Sequence, residues 1–351
     1  MMHSRLVKLL VTWIALLAVP QAALCQYRST AKATTATISI MDDDGVRQTI
    51  RGKQIDGAFV YQGDMVLVPA GVSLASGVRK FLRWSNGVIP YTIASNHPYK
   101  AKIEAAIQAL NASTVLWYKP TRNFGAPHIY IGYGNGCHSE IGEPIISDRV
   151  KVSIGQDCDR HGTIIHELLH AAGLNHEQAR QDRDSYVNIY WQNIDPGKQD
   201  NFDKGSWSKD IGPYNFASVM HYDCRDFANH PNVLTIKPKA GFPQLVGQRT
   251  GLSVGDVSAI AAMYNTLISD NRGKPSFTPQ ALPTPIYSSE CQLPPQSQSP
   301  PASTQQCNSW RAKLMFLRSE RDSSTDIQER KRFADAASAL EMKMRAGGCS
   351  F

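Results

Sequence analysis

His166-Glu167-Leu168-Leu169-His170-Ala171-Ala172-Gly173-Leu174-Asn175-His176-Glu177 decides the reading of this chain. His166 and His170 are four apart, so on a helix they project from one face, one turn above the other. Glu167 sits on the edge of that face. It can reach a metal-bound water there but is poorly placed as a third ligand. Gly173 can take positive φ without a Cβ clash and lets the chain leave the helix. The chain turns back and His176 closes the site. Three neutral imidazoles with one position left open for water suit a catalytic zinc, one ion in the domain. Ile164, Ile165, Leu168, Leu169, Ala171, Ala172 and Leu174 fill the other faces, so the helix is expected to be buried, over about 160–174. A bare H-E-x-x-H arises by chance in long chains. The extension through Gly173 and His176 is what makes this one specific.

That extended form is the metzincin signature. Downstream, Ser218-Val219-Met220-His221-Tyr222 resembles the Met-turn of metzincins, in the form found in the astacin family. The resemblance begins near Trp84-Ser85-Asn86-Gly87-Val88-Ile89-Pro90-Tyr91. It passes through Gly136-Cys137-His138-Ser139-Glu140-Ile141-Gly142, and it includes Arg180, Asp182-Arg183-Asp184, Gly247-Gln248-Arg249, Asp256 and Tyr264. It implies an α+β, metzincin-like zinc protease domain of two subdomains with a cleft between them. It further implies that Met220 forms an apolar floor under the zinc, that Tyr222 is a movable zinc ligand, and that Glu177 anchors the N-terminus of the mature enzyme. Cys137 and Cys158 match one family disulfide, and closing that loop stabilises by about 3 kcal/mol in the chain-entropy model. A second family disulfide, joining the early domain to its C-terminus, has no counterpart. Val115 stands near where its first cysteine would be, and no cysteine follows Tyr264 closely.

The 351 residues suffice for one core-bearing domain with appendages. Residues 1–25 read as a secretory signal, with Arg5 and Lys8 before an apolar stretch and Ala23-Leu24-Cys25 at the cleavage position. The apolar stretch is short for a membrane span. Six cysteines follow Cys25, an even number that favours disulfides in an exported chain. Cys224, two residues after Tyr222, is open to three roles: zinc thiolate, disulfide partner or buried thiol. A net charge of +7 spread along the chain, without interleaved basic and aromatic residues, argues against nucleic acid as a partner. Asn111-Ala112-Ser113 is a glycosylation sequon.

Five segments follow from composition: the signal at 1–25, a pro-segment at 26–80, the catalytic domain at 81–267, a Pro/Ser/Gln-rich linker at 268–306, and a helical C-terminal segment at 307–351. The pro-segment holds short β-prone runs and too little apolar material for an independent core. Within it Tyr61-Gln62-Gly63-Asp64-Met65 resembles the astacin pro-segment motif F-x-G-D, with Tyr for Phe. The family analogy makes Asp64 a zinc ligand of the latent form. A plain β-turn is the competing reading. Arg79, Lys80 and Arg83 offer basic cleavage positions before Trp84. The linker reads as extended and mobile. The C-terminal segment reads as two helices flanked by Cys307 and Cys349, a disulfide-closed hairpin or else a partly disordered tail.

Together these features imply a secreted zinc endopeptidase made as a latent precursor. Glu167 would act as general base, Tyr222 as oxyanion donor, and a protein or peptide as substrate. Two alternatives belong to other classes: an inactive metzincin-fold binding module, and a protease whose C-terminal segment binds a partner or surface.

Overall fold

Residues 88–154 alternate apolar and polar side chains in short runs, and these runs become a sheet. In β10 (Arg149–Ile154), Val150, Val152 and Ile154 point inward while Arg149 and Lys151 face water. A computed structural model describes residues 26–41, 45–71, 79–80, 83–144, 148–265, 273–278, 280–287, 291, 304–346 and 349. The signal at 1–25 and most of the stretch expected to carry the activation cleavage, 72–78 and 81–82, lie outside the described residues. Among the described residues no helix is long and apolar enough to cross a membrane.

The catalytic part pairs β6 (Val88–Ile93) with β7 (Trp117–Pro120) and β8 (His128–Gly132), and β8 with β10, all parallel. Strand β9 (Cys137–Glu140) runs antiparallel to β10 and forms the edge of this part of the sheet. Helices α1 (Lys100–Ser113) and α2 (His161–Ala171) supply most of the helical share of the main core, with Ile103, Ile107, Leu110, Ile164, Leu168 and Leu169 buried beside Ile89, Ile129 and Ile154. Helix α3 (Val254–Tyr264) starts at Ser253 with a capping box, Ser253 Oγ accepting from Asp256 N–H and the Asp256 carboxylate accepting from Ser253 N–H. Between α2 and α3 the chain is mostly single turns and loops, with one short pair, β11 (Val187–Ile189) on β12 (Ile236–Pro238), around a separate cluster of Phe202, Tyr214, Tyr222 and Phe227. This is the α+β arrangement the sequence implied.

Four expectations need correcting. First, the apolar spacing of Ile103, Ala106, Ile107 and Leu110 predicts a helix over 100–117, but α1 stops at Ser113. Thr114 turns its hydroxyl back onto the Leu110 carbonyl at 2.7 Å, a local bond that competes with helix propagation, and the chain leaves as β7. Second, α2 is shorter than expected, from His161 to Ala171, because Gly173 already stands at φ +96° and its N–H caps the His170 carbonyl at 2.7 Å. Third, the sequon is closed. Asn111 is buried, its Nδ2 donates to the Tyr118 carbonyl and its Oδ1 accepts from Tyr118 N–H, so no face of the amide is left for a glycan.

Fourth, the pro-segment's short runs, too poor for an independent core, nevertheless build one shared with the catalytic part. Strands β1 (Thr34–Met41), β2 (Arg47–Ile55), β3 (Ala58–Tyr61) and β4 (Met65–Val68) form an antiparallel meander. Its apolar face gathers Ile38, Ile40, Ile50, Phe59, Met65 and Leu67 with Ile141 and Trp207 from the catalytic part. Each run is short, but the period-2 pleat stacks the runs on one face, and the catalytic part supplies the closing side chains. A two-residue strand β5 (Arg79–Lys80) returns to pair with β1. Strand β4 pairs parallel with β9, Met65 opposite Ser139 and Val66 opposite Glu140, which makes one ten-stranded sheet.

The C-terminal residues form a separate unit: α4 (Thr304–Ser323) and α5 (Ile327–Ala346), closed by a Cys307–Cys349 disulfide over Leu314, Ala337 and Met344. Helix α4 begins three residues before the expected boundary at 307. The hairpin is ordered, so the reading of a disordered tail falls away.

Candidate metal centre

Helix α2 carries the site, and its end is held by buried donors. The last carbonyls of a helix lack partners within it. Here Tyr118 Oη donates to the Leu168 carbonyl at 2.8 Å, Trp84 Nε1 to Ala171 at 2.7 Å and Tyr264 Oη to Ala172 at 2.6 Å. At its start, Gly162 lies against the Arg249 backbone, where a Cβ would come within 2.2 Å of the carbonyl. The Cys137–Cys158 disulfide ties the start of β9 to the residues just before α2. The helix is therefore fixed at both ends, along with the histidines it carries.

His166, His170 and His176 converge with Asp64, and one ligand atom from each lies within 4.8 Å of the others. All four side chains are fully buried or nearly so. Each ring turns Nδ1 to an oxygen: His166 donates to the Val219 carbonyl at 2.8 Å, His170 to Leu174 at 2.7 Å, His176 to Gln62 Oε1 at 3.1 Å. Those bonds put the proton on Nδ1 and point three Nε2 lone pairs inward, the usual device for orienting ligating histidines. His166 Nε2 is 3.1 Å from His170 Nε2 and 3.4 Å from Asp64 Oδ2, and His176 Nε2 is 3.3 Å from Asp64. Zinc at bond lengths of about 2.0–2.2 Å holds tetrahedral ligands about 3.4 Å apart. Lone pairs and a carboxylate facing one another at these distances repel unless a cation lies between them, and Asp64 Oδ1 accepts no hydrogen bond. The donor set fits one zinc ion. Burial pushes His166 down to about 3 and His170 down to about 4 and holds His176 well below its usual range, so all three are neutral ligands at pH 7.

Those shifts fix the sign of an acid effect. A histidine with a lowered pKa contributes stability above the unfolded value of about 6.5 and loses it as pH falls through the folded value. The metal-free chain should therefore lose thermal stability between about pH 6.5 and 4. Chelation at pH 7 should lower the melting temperature, and added zinc should restore it. Differential scanning fluorimetry with and without zinc across this range checks both. A melting temperature unmoved by chelator would mean that no metal is held here.

The Met-turn bonds to one of the ligands through the Val219 carbonyl. Asp256 accepts from Ser218 Oγ at 2.6 Å and from Val219 N–H at 3.1 Å, and this sets the Val219 carbonyl that orients His166. Met220 is buried in the core with the α2 side chains. Its carbonyl accepts from Glu177 N–H at 3.2 Å. Glu177 Oε1 accepts from Asn215 N–H at 2.7 Å, with Arg180 at 3.7 Å, and burial still pushes the carboxyl up to about 8. Glu167 is fully buried within α2, one residue after His166. Cys224 lies outside the metal cluster, which removes the thiolate-ligand reading.

The family model for astacin, a peptidase family, matches residues 77–265, just over half of the chain. The chain belongs to the astacin family. Among curated astacin relatives, zinc metalloproteinase nas-13 of Caenorhabditis elegans is 36% identical over 217 residues, 60% of this chain and 46% of that protein. Mouse meprin A subunit beta is 36% identical over 230 residues, 64% of this chain and 32% of that protein. Of solved structures, the hatching enzyme zinc-protease HCE-1 of Oryzias latipes matches with a TM-score of 0.48 and 36% identity, over 53% of this chain and 94% of that one. The chain spans about half or less of the length of the curated relatives it matches first.

Two residues at the astacin centre escaped the sequence reading. Asp256 reads as an ordinary N3 acid, and its second task appears only in three dimensions. Gln62 fills the unspecified position of the pro-segment motif. It stands at φ +47°, its carbonyl accepts from Tyr222 Oη at 2.5 Å, its Oε1 takes the His176 proton, and its Nε2 donates to the Asp203 carbonyl at 2.8 Å. No sequence signal marks it beyond its place between Tyr61 and Gly63.

Proposed function

We propose that the chain is the latent precursor of a secreted zinc endopeptidase. The observation that carries this reading is the Asp64 carboxylate lying among three inward-facing imidazole nitrogens. Secretion is supported by the signal-like first 25 residues together with two disulfides in the fold. When bound, zinc lowers the pKa of water and polarises a scissile carbonyl. The remaining steps belong to the chain. Glu167 takes the proton of the attacking water and delivers it to the leaving amine. Tyr222, released from Gln62 when the pro-segment leaves, turns its phenol hydroxyl to the oxyanion as negative charge develops there. Removal of β4 uncovers the β9 edge, where an extended peptide can add as a strand. Glu177, whose carboxyl burial pushes up, pairs with the ammonium of a new N-terminus.

Zinc analysis of the processed protein together with a casein digest tests the whole reading. One zinc per chain with chelator-sensitive cleavage is expected, and a zinc-loaded, processed protein that cuts nothing would leave only a binding module. Tyr222→Phe should fold and keep zinc yet cleave about a hundred- to a thousandfold more slowly, the usual loss for one oxyanion donor. Steady-state rates on one peptide decide this, and an unchanged rate would reduce Tyr222 to a packing residue.

A further inference from the structure

The segment after α3 is not a free tether. Lys274 Nζ donates to the Thr114 carbonyl at 2.8 Å and to Leu116 at 2.7 Å, on either side of Val115, the position at which the sequence lacks a family cysteine. Leu282 packs on the main core, and Pro283 lies against Gly251. Thr250 Oγ1 accepts from Ile286 N–H at 2.8 Å. Cys291 N–H donates to the Gln244 carbonyl at 3.1 Å, and its side chain is fully buried. The mobility expected of this linker is not met over 273–278 and 280–287. The segment is a strap laid along the catalytic part.

At the end of the strap Cys291 meets Cys224. Both are fully buried in one small cluster with Leu234 and Val246, and the two thiols are in hydrogen-bonding contact. No imidazole or carboxylate joins them in a metal-ligand group among the described residues. Cys137–Cys158 and Cys307–Cys349 account for four of the six cysteines after Cys25, and these are the remaining two.

We propose that Cys224 and Cys291 are joined by a third disulfide, which fastens the strap to the loop that carries Tyr222. A protein disulfide of the exporting compartment serves as oxidant. One thiolate attacks it to give a mixed disulfide. The second cysteine sulfur then displaces the carrier, the S–S bond forms between the two Sγ atoms, and the carrier leaves as a dithiol that holds the two protons given up by Cys224 and Cys291. Full burial afterwards shields the bond from reductants. The bond replaces the missing end-to-end staple of the domain, with Lys274 occupying the other end. It also holds Cys224, whose carbonyl accepts from Thr235 N–H at 2.8 Å, two residues from the oxyanion donor.

The test uses the full chain exported without reductant, denatured in N-ethylmaleimide and digested unreduced, taking material in which the Cys137–Cys158 peptide is fully linked. A linked peptide pair holding Cys224 and Cys291, with no maleimide on either, is expected. Maleimide on both, or either cysteine linked elsewhere, overturns the proposal. In Cys291→Ser the Cys224 thiol should become the single labelled cysteine, and native chymotrypsin should cut after Phe277 about tenfold faster because the strap opens locally more often. An unchanged rate in Cys291→Ser overturns the bond's role in holding the strap.

Discussion

Glu167→Ala should leave zinc in place and remove peptide cleavage. His166 and His170 are oriented by the Val219 and Leu174 carbonyls, neither of which involves Glu167. The helix end is held by Trp84, Tyr118 and Tyr264. Alanine is the best helix former, so α2 itself is not weakened. What disappears is the group that accepts the proton of the attacking water and returns it to the amine. General acid–base catalysis of this kind contributes about 10²–10⁴-fold, and here one residue serves both transfers. The loss should fall on kcat with KM little changed, because the carboxylate acts on the water rather than on the bound peptide. Processed protein with one zinc by atomic absorption, an unchanged circular dichroism spectrum and a measured kcat settles the matter. Turnover near that of the unmodified protein, on such material, would remove Glu167 from the mechanism.

The zinc-binding stretch was legible because its information is local. A spacing of four places His166 beside His170, and Gly173 announces the turn that brings back His176. The Ser253 cap is equally local, since its partner Asp256 stands three residues on. What stayed hidden depends on partners distant in sequence. Short apolar runs such as Met65-Val66-Leu67-Val68 look too poor for a core until four strands stack them on one face and Trp207 closes it. Asn111 reads as an exposed acceptor until Tyr118 takes both ends of its amide. Lys274 sits in a stretch that composition assigns to a linker, and only the fold brings its ammonium to the carbonyls around Val115. The Met-turn signature identifies Met220 and Tyr222 but not Asp256, whose carboxylate anchors Ser218 and Val219 from another helix.

Asp64→Ala in the uncut precursor should raise activity or hasten self-activation. In the precursor the carboxylate takes the position among the imidazoles that water needs for the reaction. Gly63, at φ +85°, allows that approach, since a Cβ there would meet Phe227 at 2.9 Å. Asp64 does not act alone. Gln62 holds the Tyr222 hydroxyl at 2.5 Å and the His176 ring at 3.1 Å, and β4 covers the β9 edge. Loss of the carboxylate should therefore loosen the latch without freeing the cleft. If the lost contact resembles a hydrogen bond to a charged group, about 1.5–3 kcal/mol, the open fraction rises about ten- to a hundredfold. Adding Gln62→Ala should raise it further. Alanine removes the Oε1 that accepts from His176 and the Nε2 that donates to the Asp203 carbonyl, two of the bonds that seat the pro-segment at the site. The measurement needs precursor shown uncut by intact mass before and after the assay, with turnover followed on a short peptide in its first minutes. Equal activity of uncut Asp64→Ala and unmodified precursors would mean that the β meander, not the carboxylate, imposes latency. In that case β4 would have to be peeled from β9 before any peptide could be cut.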